Sequence, residues 1–196
     1  AADFAGGYGT GYAATVDKFA FSDDSRTTLA TGLSAARIDG GGAANSGTAA
    51  YFGGGYAASG AVATVDKFAF SDDSRTTLAT GLSAARYDAA GAANSGTAAY
   101  FAGGQEAARV ATVDKFAFSD DSRTTLATGL SAARRAPAGA ADSGTAAYFA
   151  GGSESAGYAA TVDKFAFSDD SRTTLGTGLS SARWRSAGAA NSETLA

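Results

Sequence analysis

The chain has no cysteine and no histidine. Without cysteine there are no disulfides, no thiolate metal sites and no thiol nucleophile, and redox chemistry gives no information about compartment. Without histidine the commonest general base and a leading transition-metal ligand are also missing, so any chemistry would fall to carboxylates, hydroxyls, Lys, Arg and Tyr. An enzyme is therefore not expected, and neither a cofactor nor a metal is assigned. Basic runs are absent too: a net charge of −4 and regularly spaced acids argue against binding nucleic acid, because nothing neutralises phosphates. No apolar run approaches the roughly 20 residues of a spanning helix, so membrane insertion is not expected. Ala1 stands where Met would begin a chain, as expected of a sequence processed or cut from a longer one.

The sequence is dominated by a repeat. The stretch ATVDKFAFSDDSRTTLATGLSAAR at Ala14 to Arg37 returns at Ala63 to Arg86, at Ala111 to Arg134 and, with Gly176 and Ser181 as the only changes, at Ala160 to Arg183. The valine of VDKF falls at Val16, Val65, Val113 and Val162, a period in the range of stacked or radial repeat architectures. Near-identical units cannot each bury a core alone, which favours one array over the whole chain, residues 1–196.

Four short strands are expected in each unit. In TVDKFAF, Val16, Lys18 and Ala20 alternate with Asp17, Phe19 and Phe21, the period of a strand. SDDS supplies turn chemistry, and RTTLATGL follows as a Thr-rich second strand, closing a hairpin. Beyond the arginine, an Ala-Gly stretch such as Ala89 to Ala93 leads to the turn Asn94, Ser95, Gly96, Thr97. A helix is the rival reading, since Ala is the best helix former, but the run is short and broken by Gly, so a strand in a tight place is expected. The AAYF segments before paired glycines complete the set, with an aromatic pair replaced by Asp3-Phe4 in the first copy.

Four strands per unit at this period predict an all-β fold: a small β-propeller, four blades of four antiparallel strands, with units near 1–37, 38–86, 87–134 and 135–183. Ala196 occupies the repeat position of Ala50, and Asp3 that of Tyr51. Residues 184–196, through Ala187 to Asn191, are thus expected to supply the innermost strand of the first blade and close the ring by pairing N- and C-terminal segments.

In this order of motifs, with the double glycine closing AYFAGG and an aromatic at Phe19, Phe68, Phe116 and Phe165, the unit resembles a kelch repeat. The resemblance covers all four units and departs from the family at the outer strand, where Arg26 and Thr27 stand in place of the usual Trp. It implies a divergent, small kelch-like propeller. The unit is also similar to Gly-rich kelch-like arrays of bacterial and phage surface or tail proteins, a resemblance that implies a place outside a cell or on a virion.

The turns NSGT and SDDS are nearly invariant among the units, with Asp142 for Asn and Glu193 for Gly the exceptions, whereas both connections at the opposite end change from copy to copy. Tyr8, Tyr12, Tyr56, Tyr87, Asp88, Gln105, Arg109, Arg135, Tyr158, Trp184 and Arg185 fall in those connections. Their enrichment in Tyr, Trp and Arg matches the composition of binding hot spots, so they are the candidate ligand-binding face. The expected function is a non-catalytic binding or adhesion module for a glycan or protein. The alternative is a structural subunit of a larger assembly, a homo-oligomer made by strand exchange: an eight-bladed dimer, a fibre or a virion component. The Asp pairs (Asp23-Asp24 and equivalents) carry donors suited to Ca²⁺, but they lack the spacing of a calcium loop, and a hairpin turn accounts for them.

Overall fold

The computed structural model describes residues 1–142 and 144–190. All regular structure among them is β, in small antiparallel sheets that follow the repeat. The first sheet holds β1 (Ala2–Ala5), β2 (Val16–Phe19) and β3 (Arg26–Thr28), in that order. A short β4 (Arg37–Ile38) leads to the second sheet, β5 (Gly41–Asn45), β6 (Ala49–Gly53), β9 (Val65–Ala69) and β10 (Arg75–Thr77). Between its middle strands, β7 (Tyr56–Ala57) and β8 (Gly60–Ala61) form a hairpin. The third sheet is β11 (Ala90–Asn94), β12 (Ala98–Ala102), β13 (Val113–Ala117) and β14 (Arg123–Thr125). The fourth is β15 (Ala138–Asp142), β16 (Ala146–Ala150), β19 (Val162–Ala166) and β20 (Arg172–Thr174), with the hairpin β17 (Ser153–Glu154) and β18 (Gly157–Tyr158) at its rim.

The Ala-Gly runs are strands β5, β11 and β15, and their composition is what lets neighbouring sheets touch. A Cβ at Gly91 would collide with the carbonyl oxygen of Gly42, one at Gly139 with that of Gly91, and one at Gly188 with that of Gly139. Only glycine permits such backbone contact. The same edge is tied at both ends. Above the glycines, Asp88 N–H donates to Asp39 C=O at 2.8 Å, Ala136 N–H to Asp88 C=O at 2.8 Å, and Arg185 N–H to Ala136 C=O at 3.1 Å. Below them, Asn45 and Asn94 side chains accept from Gly96 and Gly144 N–H, each at 3.0 Å.

Away from that edge the sheets are held apart by side chains that alternate as the VDKF pattern requires. Val16, Leu29 and Leu33 of the first sheet pack on Phe68 of the second, Val65 and Leu82 on Phe116 of the third, and Val113 and Leu130 on Phe165 of the fourth. These phenylalanines and valines are fully buried. Each junction also encloses a charge pair: Arg37 with Asp66 at 2.9 Å, Arg86 with Asp114 at 2.8 Å, and Arg134 with Asp163 at 2.7 Å. Lys18, Lys67 and Lys115 reach Asp73, Asp121 and Asp170 at 2.6 to 2.8 Å.

Three features differ from the sequence expectations. Only the start of RTTLATGL is a strand, because Leu29 and Leu33 N–H turn back to Val16 and Ala14 C=O and the intervening Gly32 lies against Ala14. Among the described residues the first sheet has three strands in its hydrogen-bonded order. The segment expected to complete it does not pair with β1 over its described part: Ala187 to Ala190 are outside any strand, with Gly188 on Gly139 of the fourth sheet, while Asn191 and the rest of the tail fall outside the described residues.

Candidate functional site

The variable connections meet at one rim because the segment after each repeat arginine pairs with the loop after each double glycine. Ile38 pairs with Tyr56, Tyr87 with Gln105, and Arg135 with Ser153. The paired glycines allow this: Gly55 and Gly104 hold φ near +113 and +112°, a region side chains avoid, and Gly55 and Gly104 N–H donate to Arg86 and Arg134 C=O. The rim position Asp39, Asp88, Ala136 and Arg185 is left-handed in every copy (φ 50 to 57°), so the variable side chains hang from an invariant backbone.

The chosen residues form one continuous surface. Tyr8 and Tyr12 rings meet edge to face at 5.7 Å, Tyr12 and Tyr56 at 6.5 Å, and Tyr56 and Tyr87 at 5.2 Å. From Tyr87 the surface passes through Gln105, which bridges to Arg109, whose Nη2 donates to Ser153 Oγ at 3.2 Å. Ser153 pairs with Arg135, and the Arg135 and Arg185 guanidiniums lie 5.1 and 4.6 Å from the Trp184 ring centre. Tyr158 stacks on Trp184 at 5.9 Å with planes 6° apart. Trp184 is thus flanked by three partners and half-buried, while Tyr8 and Tyr158 offer the most open rings, 73% and 58% exposed.

Asp88 is placed differently from the others. It is buried beneath the surface, 3.9 Å from both Arg135 and Arg185, with Asp39 also 3.9 Å from Arg185. Burial, and then the neighbouring Asp39, push its carboxyl above the ordinary range, against the pull of the two arginines. Its position lets it orient the arginines, which face outward. Ser153 and Asp39 belong to this network, yet only their change between copies marked them in the sequence; neither residue type alone signals a contact.

The Asp pairs at the opposite end serve the fold. Asp23 Oδ1 accepts Ser25 N–H within its own turn at 3.1 Å. The second aspartates sit at left-handed φ and, at Asp121 and Asp170, accept from the Lys and Tyr side chains of the preceding sheet. Burial, and then donation to Asp121, raises the pKa of the Tyr51 hydroxyl to about 12.

No protein-family model matches the chain, and a search of curated proteins finds no significant match.

Proposed function

We propose that the protein is a non-catalytic binding module whose four sheets are blades of a kelch-like propeller, and whose variable rim engages a glycan or protein surface outside a cell or on a virion. One observation carries the reading. Copies that are nearly letter-identical elsewhere diverge at Tyr8, Tyr12, Tyr56, Tyr87, Gln105, Arg109, Arg135, Tyr158, Trp184 and Arg185, and those positions form one contiguous patch. Exposed tyrosine rings stack on apolar sugar or side-chain faces, and the arginines and Gln105 offer directed donors beside them, the usual chemistry of such sites. Blade-like geometry is supported by sheets that touch along their glycine edge and are spread by phenylalanine elsewhere.

Screening the intact protein on immobilised glycans and on extracellular proteins tests the reading. Binding by the wild type should fall at least tenfold in a Tyr87→Ala/Trp184→Ala variant, and likewise in Tyr8→Ala/Tyr158→Ala. Undiminished binding by both variants, or a wild type that binds nothing on either surface, would overturn it.

A further inference from the structure

The two ends of the array are the two halves of its own internal junction. At each of three junctions the earlier sheet contributes Val, Leu, Ser, Lys and Arg, and the later sheet contributes Phe and two aspartates. Ser34, Ser83 and Ser131 donate to Asp66, Asp114 and Asp163 beside the buried arginines.

Among the described residues nothing covers the receiving half that the first sheet presents. Phe4, Phe19 and Phe21 are 63%, 37% and 75% exposed, whereas Phe68, Phe116 and Phe165, the equivalents of Phe19, are at 0%. Among the described residues Asp17 is bonded only within its own sheet, and Asp24, although left-handed like Asp73, Asp121 and Asp170, accepts no lysine. The fourth sheet presents the donating half. Arg183 is exposed and folds back on Ser180 and Ser181 of its own loop, where Arg86 and Arg134 are fully buried against aspartate. Lys164 rests over the Tyr148 ring and has no carboxylate partner among the described residues. Val162 and Leu179 are partly exposed, while Val16, Val65, Val113 and Leu33, Leu82, Leu130 are buried. The inner edge repeats the pattern: exposed Ala187 to Ala190 rest on the fourth sheet through Gly188, as β15 rests on β11 through Gly139, and among the described residues the first sheet is one inner strand short.

We propose that the fourth sheet of one copy packs on the first sheet of the next, so that chains join head to tail through the junction they already contain three times. Arg183 and Ser180 then meet Asp17 of the next copy, Lys164 and Tyr148 meet its Asp24, and its Phe19 covers Val162 and Leu179. Ala187 to Ala190 take the vacant edge beside β1 of the next copy, in the register Gly188 opposite Phe4 that Gly42–Phe52, Gly91–Phe101 and Gly139–Phe149 set. The occupant is a second copy of this chain because shape, charge and strand order on each face match the other and are those of an interface that forms within the chain. The contact is heterologous, so it propagates.

Sedimentation velocity of the wild type, from micromolar to several hundred micromolar, should show the mean mass rising past two chains of 19.1 kDa. Phe19→Lys blocks the receiving face and leaves the donating face intact; Arg183→Glu does the reverse. Both are surface changes whose far-UV circular dichroism should equal that of the wild type. Each variant alone should stay at the mass of one chain, and an equimolar mixture should form a one-to-one pair and nothing larger. A wild type that stays at one chain throughout, as internal ring closure would give, refutes the proposal. So do single variants that associate like the wild type, or a mixture that does not pair.

Discussion

Arg86 and Arg183 occupy the same position of the repeat in opposite surroundings, which makes them a matched test of what the junctions contribute. Arg86 lies 2.8 Å from Asp114 with both side chains at 0% exposure, and its Nη2 also donates to Phe101 C=O at 3.2 Å. In Arg86→Met the stem volume is retained, but the Asp114 carboxylate stays buried with only Ser83 and Thr125 as neutral donors. Leaving a buried charge unpaired costs about 3–5 kcal/mol, between about two and four orders of magnitude in the folding equilibrium. Arg183 is exposed and, among the described residues, bonds only Ser180 and Ser181, so Arg183→Met should stay within about 0.5 kcal/mol of the wild type, as most surface changes do. Urea unfolding followed by far-UV circular dichroism, at protein concentrations low enough to keep single chains, reads the difference. With a urea dependence of about 2–3 kcal/mol per molar, Arg86→Met should lower the midpoint by roughly 1–2 M and Arg183→Met by less than about 0.3 M. Equal losses would mean that the fourth face is covered within a single chain, and a loss under about 1 kcal/mol for Arg86→Met would refute the energetic account of the junction.

Acid should open the same junctions. Burial alone would raise the carboxyls of Asp66, Asp114 and Asp163, but hydrogen bonds from Thr and Ser, together with the repeat arginine, outweigh it and hold them below the ordinary value. Their stabilisation is therefore present above the unfolded carboxylate range near pH ~4 and is lost as pH falls through their lower folded values. Unfolding midpoints measured from neutral pH down to about pH 2 should decline steeply only below about pH 4, and a flat profile there contradicts the assignment. Glycine substitutions give the opposite pair. Gly91→Ala, which thrusts a methyl into the Gly42 carbonyl, should cost several kcal/mol of thermal stability, whereas Gly176→Ala, in open space where the other copies carry Ala30, Ala79 and Ala127, should be neutral or gain up to about 1 kcal/mol.

Much of this was written in the letters. Alternation in VDKF marks a strand and also separates Val16 and Lys18, which meet the following sheet, from the Asp and Phe positions, which at Asp66 and Phe68 meet the preceding one. Comparison of the copies located the rim, since divergent text at two connections implied that they share an end. The hairpins β7–β8 and β17–β18 were not legible, because two-residue strands carry no period. The buried ion pairs were half legible: Arg37 was readable as a bridge to backbone, and it does donate to Phe52 C=O, but its carboxylate lies in the next unit, beyond any local pattern. The tail is read in the right phase, since Gly188 meets Gly139 as Gly139 meets Gly91, but its described part, Ala187 to Ala190, does not pair with β1. Phase follows from the repeat itself, whereas the neighbour it meets depends on how far the array curves, which no residue spacing states.

That curvature has an adjustable setting. Along the glycine edge the step between units is fixed by backbone contact, with rungs of 2.8 to 3.1 Å, but on the far side it is as thick as whatever stands at Phe68, Phe116 and Phe165. These rings act as shims in a hinge pinned on one side. Trimming all of them to leucine should draw the sheets together on that side and enlarging them should spread them, so the bulk of one repeated residue contributes to the spacing of every unit.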